Sequence, residues 1–393
     1  MSARLRLYPA PVILVSLSVI LALAVAVVIA FDGSPAHAAN VSCGDTITTD
    51  TTLHRDLINC RNNGIVIGAD GITLNLNGHR IDGDGTEFSG CDPNSEICDS
   101  GVVNDGHDRV TVKHGRVREF GVGVLLGTTT PGRVRHNRLL DISSSSNLSF
   151  GFVVASTDRS LVRNSSGSGN VAPEGDGMGL FDAHHVRVLH NSFRHNPGPG
   201  IHVFRSSNNL IKGNLFSRDG PAVLMEEADG NRVRSNRVNR GAGILVGPGD
   251  RNVIARNRVS RVDDGIAIEK GVGNLVAGNV VRDARKTGIR LGITHPSLGG
   301  ANNVVRGNLV SGSGGDAFRV YPKDRHGLLS RNIAIGSGDD GFDVQGHATK
   351  LTNNRSVRNH DLGIEAVRRV IDGGGNTARH NGDPRQCTNV VCN

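Results

Sequence analysis

The stretch "GIHVFRSSNNLIKGNLFSRDG" runs from Gly200 to Gly220, and its apolar residues alternate with polar ones, Ile201 and Val203 flanking His202. Such alternation is strand periodicity, because successive side chains of an extended chain point to opposite faces. The pattern returns in "AGILVGPGDRNVIARNRVSRVDD" from Ala242 and "GIAIEKGVGNLVAGNVVRDARKT" from Gly265. It returns again in "AFRVYPKDRHGLLSRNIAIGSGDD" from Ala317 and "GFDVQGHATKLTNNRSVRNHDL" from Gly341. The residue before the first apolar position falls at Gly179, Gly200, Ala222, Gly243, Gly265, Gly288, Ala317, Gly341 and Gly363. The intervals are 21 to 24 residues, with one of 29 where "GITHPSLGGA" inserts a loop. A fixed period of this length is the mark of a solenoid.

A second short strand follows the first in each unit, as in Leu210 to Phe216, Val253 to Val259 and Val304 to Val310. No amphipathic helix of ten residues separates the strands, which argues against a βαβ arrangement. Short parallel strands joined by tight corners must coil, since each unit buries its apolar face only against the next. Asparagine recurs in the second strand at Asn191, Asn214, Asn236, Asn257, Asn279, Asn308, Asn332, Asn354 and Asn381. Stacked coils would place these amides above one another, bonded along the stack. Asparagine also tolerates the left-handed backbone of a sharp corner.

These repeats resemble the right-handed parallel β-helix proteins, specifically the pectate-lyase-like group with short "N-x-I-x-x-N" coils. The resemblance covers nearly all of the chain after its first 38 residues. It implies an all-β solenoid of roughly a dozen coils rising about 4.8 Å each, a rod on the order of 60 Å long. The expected organisation is a signal peptide over 1–38, an N-terminal cap and first coils over 39–99, coils over 100–380, and a C-terminal cap over 381–393.

The ends fit an exported protein. Arg4 and Arg6 precede an apolar run from Val12 to Phe31, and Ala36-His37-Ala38 follows, which is the order of a secretory signal cleaved after Ala38. The run is also long enough to act as an uncleaved anchor. Beyond it, no segment is apolar enough to insert in a membrane. The six cysteines fall into near pairs, Cys43 with Cys60, Cys91 with Cys98 and Cys387 with Cys392. Six cysteines allow fifteen connectivities, and the local one would staple the ends and a loop. No Cys/His spacing suits zinc. Without the leader, Lys+Arg stands at 42 against 36 Asp+Glu, a mildly basic body. Tryptophan is absent and Tyr321 is the one tyrosine after the leader, which argues against broad aromatic sugar stacking and single-strand nucleic-acid platforms.

Chemistry requires outward side chains that converge across coils. The outward position between the two core residues reads His202, Leu224, Leu245, Ala267, Arg290, Arg319, Asp343, Glu365. The preceding corner adds Asp316, then Asp339 with Asp340, then Asp361. Stacked, Asp316, Asp339, Asp340 and Asp343 would offer several oxygens to one hard cation such as Ca²⁺. The sequence "DDGFD" at Asp339–Asp343 resembles the acidic motif of family-nine pectate lyases, with Asp316 in the position of the fourth ligand. That resemblance implies Ca²⁺-assisted β-elimination on an acidic, uronate-containing polysaccharide, with Arg290, Arg319, Tyr321, Lys323 and Glu365 meeting the substrate. The family's base is a lysine in a later coil. Here the last lysine is Lys350, only seven residues past Asp343, and Arg379 lies nearer the expected distance, so both are candidates. The same acids also have a turn-chemistry reading: Asp before Gly bonds backbone at tight corners, and Asp263-Asp264-Gly265 repeats the motif without the surrounding cluster.

Two further groupings stand out, a row of Arg218, Arg240 and Arg261, and a loose set of His184, His185, His190 and His195. The Asp-Pro-His motif of mannuronan epimerases is absent, and no paired acidic motif of polygalacturonases is evident. The expected function is therefore that of a secreted or cell-surface monomer acting on acidic polysaccharide, with no nucleic-acid partner. Two alternatives remain open: a non-catalytic glycan-binding or structural β-helix protein, and a periplasmic accessory protein of the NosD kind, which shares the repeat.

Overall fold

The computed structural model describes residues 40–86, 99–128, 131–293 and 299–393. The expected leader and the Cys91–Cys98 pair lie outside the described residues. Everything described belongs to one unit of the chain. It is all-β, with every strand pairing parallel to its counterpart one repeat later, a β-solenoid of about fourteen turns.

The register is set by alternation. Ile201 pairs with Val223, Val223 with Ile244, Ile244 with Ile266, Ile266 with Ile289, Ile289 with Phe318, and Phe318 with Phe342. Each of these side chains is almost wholly buried, so a slip of one residue would turn the whole row out to solvent. Larger rings stack coil on coil inside: Phe193 on Phe216 at 5.4 Å, and Phe318 on Phe342 at 4.6 Å.

Three strands, not two, make up a full coil. The expected second strand is broken in the middle, into Leu210–Lys212 and a strand starting at Leu215, and likewise Val253–Ala255 and Arg258–Val262. The break has a local cause. His190, Gly213, Ser235, Arg256, Gly278, Gly307, Arg331, Asn353 and Gly375 all have left-handed backbones, with φ between 55° and 70°. A single such residue turns the chain sharply. The asparagine that follows it is not itself left-handed, contrary to the expectation from sequence.

Those asparagines do form a ladder. Asn257 Oδ1 accepts from the backbone N–H and the side-chain amide of Asn236, while its own amide donates to the Val233 carbonyl and to Asn279. The same bonds run from Asn191 to Asn354. The last rung is Asn376, not Asn381. Asn381 instead ends a separate column with Ser337 and Asn359, capped by Gln386. A further ladder, which periodicity alone does not single out, links Asn209, Asn231, Asn252, Asn274 and Asn303, and ends on Asp324.

One register residue also moves. Gly179 pairs with His202, so it occupies the outward position, and Gly177 is the true counterpart of Gly200. Both glycines flank Met178, and alternation alone could not choose between them. The close approach chooses: a Cβ on Gly177 would meet the Gly200 carbonyl oxygen at 2.5 Å. Disulfides Cys43–Cys60 and Cys387–Cys392 close the two described ends as expected.

Candidate functional site

The outward column of the first sheet falls as the alternation predicts. His202, Leu224, Leu245, Ala267, Arg290, Arg319, Asp343 and Glu365 are successive partners. Because neighbouring parallel strands lie about 4.8 Å apart, residues more than twenty apart in sequence become direct neighbours.

Asp316, Asp339 and Asp340 converge, each offering a carboxylate oxygen within 4.8 Å of the others. Asp316 and Asp340 are buried and Asp339 is exposed. Part of this arrangement is turn chemistry, though not local to each turn. Asp316 Oδ1 accepts the Asp340 N–H at 3.2 Å, and Asp340 Oδ1 accepts the Leu362 N–H at 2.8 Å, each from the next coil. Asp264 holds the Thr287 N–H in the same way. The two motifs then diverge. At the Asp263-Asp264 corner the remaining oxygens are taken by Arg285 and Arg290. At the Asp339-Asp340 corner, no arginine of the described residues closes the carboxylates off.

The electrostatics follow from that crowding. Burial, then the charges of Asp343 and Asp339, push Asp316 up to about 6 against the pull of Arg319. Asp340 is pushed up to about 8, chiefly by burial, with Asp316, Asp339 and Glu365 adding to it. Asp343 is raised as well, mainly by burial. Carboxylates in this state favour any bound positive charge that replaces their protons.

Asp343 does not join the triad. Its oxygens take the Gln345 amide at 3.0 and 3.2 Å, and Arg319 Nη2 lies 3.3 Å away. Arg319 thus bridges two acids, since its Nη1 also donates to Asp316 Oδ2 at 2.9 Å. On its other side the guanidinium lies 5.0 Å from the centre of the Tyr321 ring. Tyr321 in turn lines a hollow of about 350 Å³ with Asp264, Lys286, Thr287, Arg290 and Ile293. Lys323 is exposed on the corner beyond, and Glu365 is exposed one coil past Asp343.

Three expected residues are placed elsewhere or committed. Arg290 is locked: its Nε and Nη2 donate to Asp264 at 2.8 Å and Glu269 at 2.7 Å, leaving the side chain 13% exposed. Lys350 pairs with Leu328 in the second sheet, and Arg379 pairs with Val357 in the third. Neither shares the sheet that carries Asp343: the turn between Val344 and Lys350 separates the first sheet from the second, and the third lies past a further corner. The histidine set also disperses, His184 bonding Ser207, His185 bonding Asp158 and His195 meeting Arg218.

One arrangement is visible only in the fold. His202 lies between Asp176 at 3.5 Å and Glu226 at 3.0 Å, with the Phe181 ring edge-on at 5.7 Å. Burial alone would lower the imidazole's affinity for its proton, but the two carboxylates outweigh it and raise it. Its signal in the sequence was the outward His202 itself; Asp176 occupies the same corner position as Asp316, several coils earlier.

The model of the right-handed beta helix region matches residues 48–238, 190–321 and 222–382. No curated protein sequence matches the chain. Among solved structures, the pre-mature gene product 12 of bacteriophage phi29 superposes with a TM-score of 0.57 at 11% identity, over 90% of this chain and 52% of that one. The periplasmic alginate epimerase AlgG gives 0.47 at 14% identity, over 73% and 72% of the two chains. An alginate lyase from Paenibacillus sp. str. FPU-7 gives 0.44 at 12% identity, over 76% and 99%. With the family model spanning most of its length and the coils stacked as described, the chain belongs to the right-handed beta-helix family.

Proposed function

We propose that this is an exported, polysaccharide-active protein that binds Ca²⁺ at Asp316, Asp339 and Asp340 and cleaves a uronate-containing chain by β-elimination. The observation that carries the reading is the convergence of three carboxylates beside Arg319 and the Tyr321 hollow. The donors suit a hard cation. All are oxygens, and two ligands about 2.4 Å from one ion on opposite sides stand about 4.8 Å apart. The three carboxylate oxygens lie within 4.8 Å of one another, so a small inward movement of the side chains would let one ion reach all three.

Ca²⁺, when bound, would set a positive charge against the uronate carboxylate and so acidify the neighbouring C5 hydrogen. Arg319 stays protonated between Asp316 and Asp343, so it serves as a charge and not as the base. Lys350 and Arg379 lie on other sheets and are replaced in this role by Tyr321, whose ring lies against the Arg319 guanidinium. A water held at the Tyr321 oxygen would take the C5 proton, and the adjacent Arg319 guanidinium offsets the negative charge that builds on the sugar. The electron pair left at C5 forms the C4–C5 double bond, the C4–O bond breaks, and the departing glycosidic oxygen takes a proton from water. Lys286, which lines the hollow, would hold the carboxylate of an adjoining sugar.

The test is incubation with polygalacturonate and alginate, with Ca²⁺ or with EDTA. Ultraviolet-absorbing unsaturated products should form with Ca²⁺ and vanish in EDTA, in Asp340→Asn and in Tyr321→Phe. They should persist in Lys350→Ala and Arg379→Ala. Cleavage that yields reducing ends without unsaturation, or that ignores EDTA, refutes the proposal.

A further inference from the structure

A second hollow is larger than the one beside Tyr321 and lies away from the acid cluster. It lies on the second sheet, has a volume of about 930 Å³, and is lined by Arg232, Arg234, Arg256, Arg306 and Arg331 without a single acidic residue. None of these five guanidiniums makes a side-chain hydrogen bond or ion pair with a described residue. Other arginines are matched by acids, as Arg118 is by Asp82, Arg205 by Glu227, Arg285 by Asp263 and Arg290 by Asp264.

The register shows how the recess is built. Arg234, Ala255, Ala277 and Arg306 are successive partners, so two alanines separate two arginines in one column. In the corner column alongside, Arg256 and Arg331 are separated by Gly278 and Gly307. The small residues form a floor, and the arginines stand at its ends. Each pair is three coil rises apart, about 14 Å. Arg256 follows Ala255, the partner of Arg234, and Arg331 follows Ser330, the partner of Arg306, so like charges gather at each end and no acid lining this recess offsets them.

We infer that this groove is a binding site for a linear acidic glycan, carboxylated or sulfated, laid along the coil axis. Guanidinium forks match the planar oxygens of carboxylate and sulfate, and an elongated recess with cations at both ends suits a chain with charges along its length. A nucleic acid fits less well, because no aromatic side chain lines the recess to stack on a base. The site is separate from the acid cluster, lies on a different sheet and needs no Ca²⁺. It stands whether or not the proposed elimination occurs.

The test uses the full chain with Asp340→Asn, in EDTA, so that the acid cluster is silent. Affinity electrophoresis and titration calorimetry would follow binding to polygalacturonate, dextran sulfate, uncharged dextran and a single-stranded oligonucleotide. At least one of the two acidic glycans should bind, with affinity falling steeply as salt rises, and dextran should not. Arg234→Glu/Arg306→Glu should weaken that binding at least tenfold. The matched control Arg218→Glu/Arg240→Glu, on another face, should weaken it no more than about threefold. If charge reversal perturbs folding, Arg234→Gln/Arg306→Gln should still lower affinity and flatten the salt dependence. Binding of neither acidic glycan, equal losses in groove and control variants, or tighter binding of the oligonucleotide overturns the inference.

Discussion

Replacing Asp324 by asparagine should do little below about pH 4 and stabilise the protein increasingly from there to about pH 7. Asp324 is fully buried at the end of an asparagine ladder. Its Oδ2 accepts the Asn303 amide at 3.1 Å, while Oδ1 has no partner among the described residues. In the five coils before it, the atom at that place is an amide that donates to a backbone carbonyl, as Asn303 does to Gly271. A protonated carboxyl supplies an equivalent O–H, and an ionised one does not. Burial accordingly pushes Asp324 from 3.8 up to about 7, against the N–H groups of Asn303 and Gly300. The native state therefore holds a proton that the unfolded chain releases, and stability falls as pH rises from about 4 to about 7. At 1.36 kcal/mol per pH unit, the whole loss is about 4 kcal/mol, of which about 3 kcal/mol falls between pH 5 and pH 8.5. The amide in the Asp324→Asn variant cannot titrate. Urea unfolding of parent and variant at the two pH values isolates this site, since every other titrating group is common to both. The stability difference in favour of the variant should grow by about 3 kcal/mol from pH 5 to pH 8.5. A difference that stays constant across that range would refute the account of the orphaned oxygen.

Two other substitutions probe the framework. Asn257→Ala removes four ladder hydrogen bonds and strands the Asn236 N–H and the Val233 carbonyl in the core, so it should cost on the order of 4 kcal/mol. Asn239→Ala, on the partly exposed flank, should cost less than about 1 kcal/mol in the same unfolding assay. Phe342→Ala opens a hole beneath the acid cluster by removing the ring stacked 4.6 Å from Phe318. It should lower stability by about 3–5 kcal/mol and also reduce any rise in melting temperature that Ca²⁺ produces. The exposed Val391→Ala should change neither.

Much of this architecture could be read from the sequence because a solenoid writes its geometry as a period. Ile201, Val223 and Ile244 recur at a fixed interval, and alternation then fixes which neighbours face outward. That is why Arg319, Asp343 and Glu365 can be assigned to one column from the sequence, as they fall in the fold. What the sequence did not reveal was the corner. Gly213, Arg256 and Gly307 share a left-handed backbone, but glycine and arginine share no chemistry that would betray a common conformation. That corner gives the recess between Arg234 and Arg306 a sheet of its own, and distance along the chain did not show that Lys350 and Arg379 lie on sheets other than that of Asp343. The role of Arg290 is hidden from the sequence for another reason. Its partners Asp264 and Glu269 belong to the preceding coil, and only contact could show that its charge was already matched.

The distribution of charge links the two proposed sites. Parallel stacking sets each residue about 4.8 Å from its counterparts, so any charge repeated in register accumulates down a column. On the first sheet Arg290 and Arg319 are direct partners, and the chain offsets their charge with acids: Arg290 is held between Asp264 and Glu269, and Arg319 between Asp316 and Asp343. In two places it does not. Asp316, Asp339 and Asp340 crowd negative charge at one corner, and five arginines surround one recess without an acid among them. Each arrangement carries a repulsion that the fold itself leaves unrelieved, and each would be relieved by a ligand of opposite sign. A cation and a polyanion are the two ligands that would do so. If Ca²⁺ and an acidic glycan both raise the melting temperature, and do so additively, the two columns are independent sites on one scaffold. If saturating one abolishes the effect of the other, they are not separate, and the division of roles between the two sheets fails.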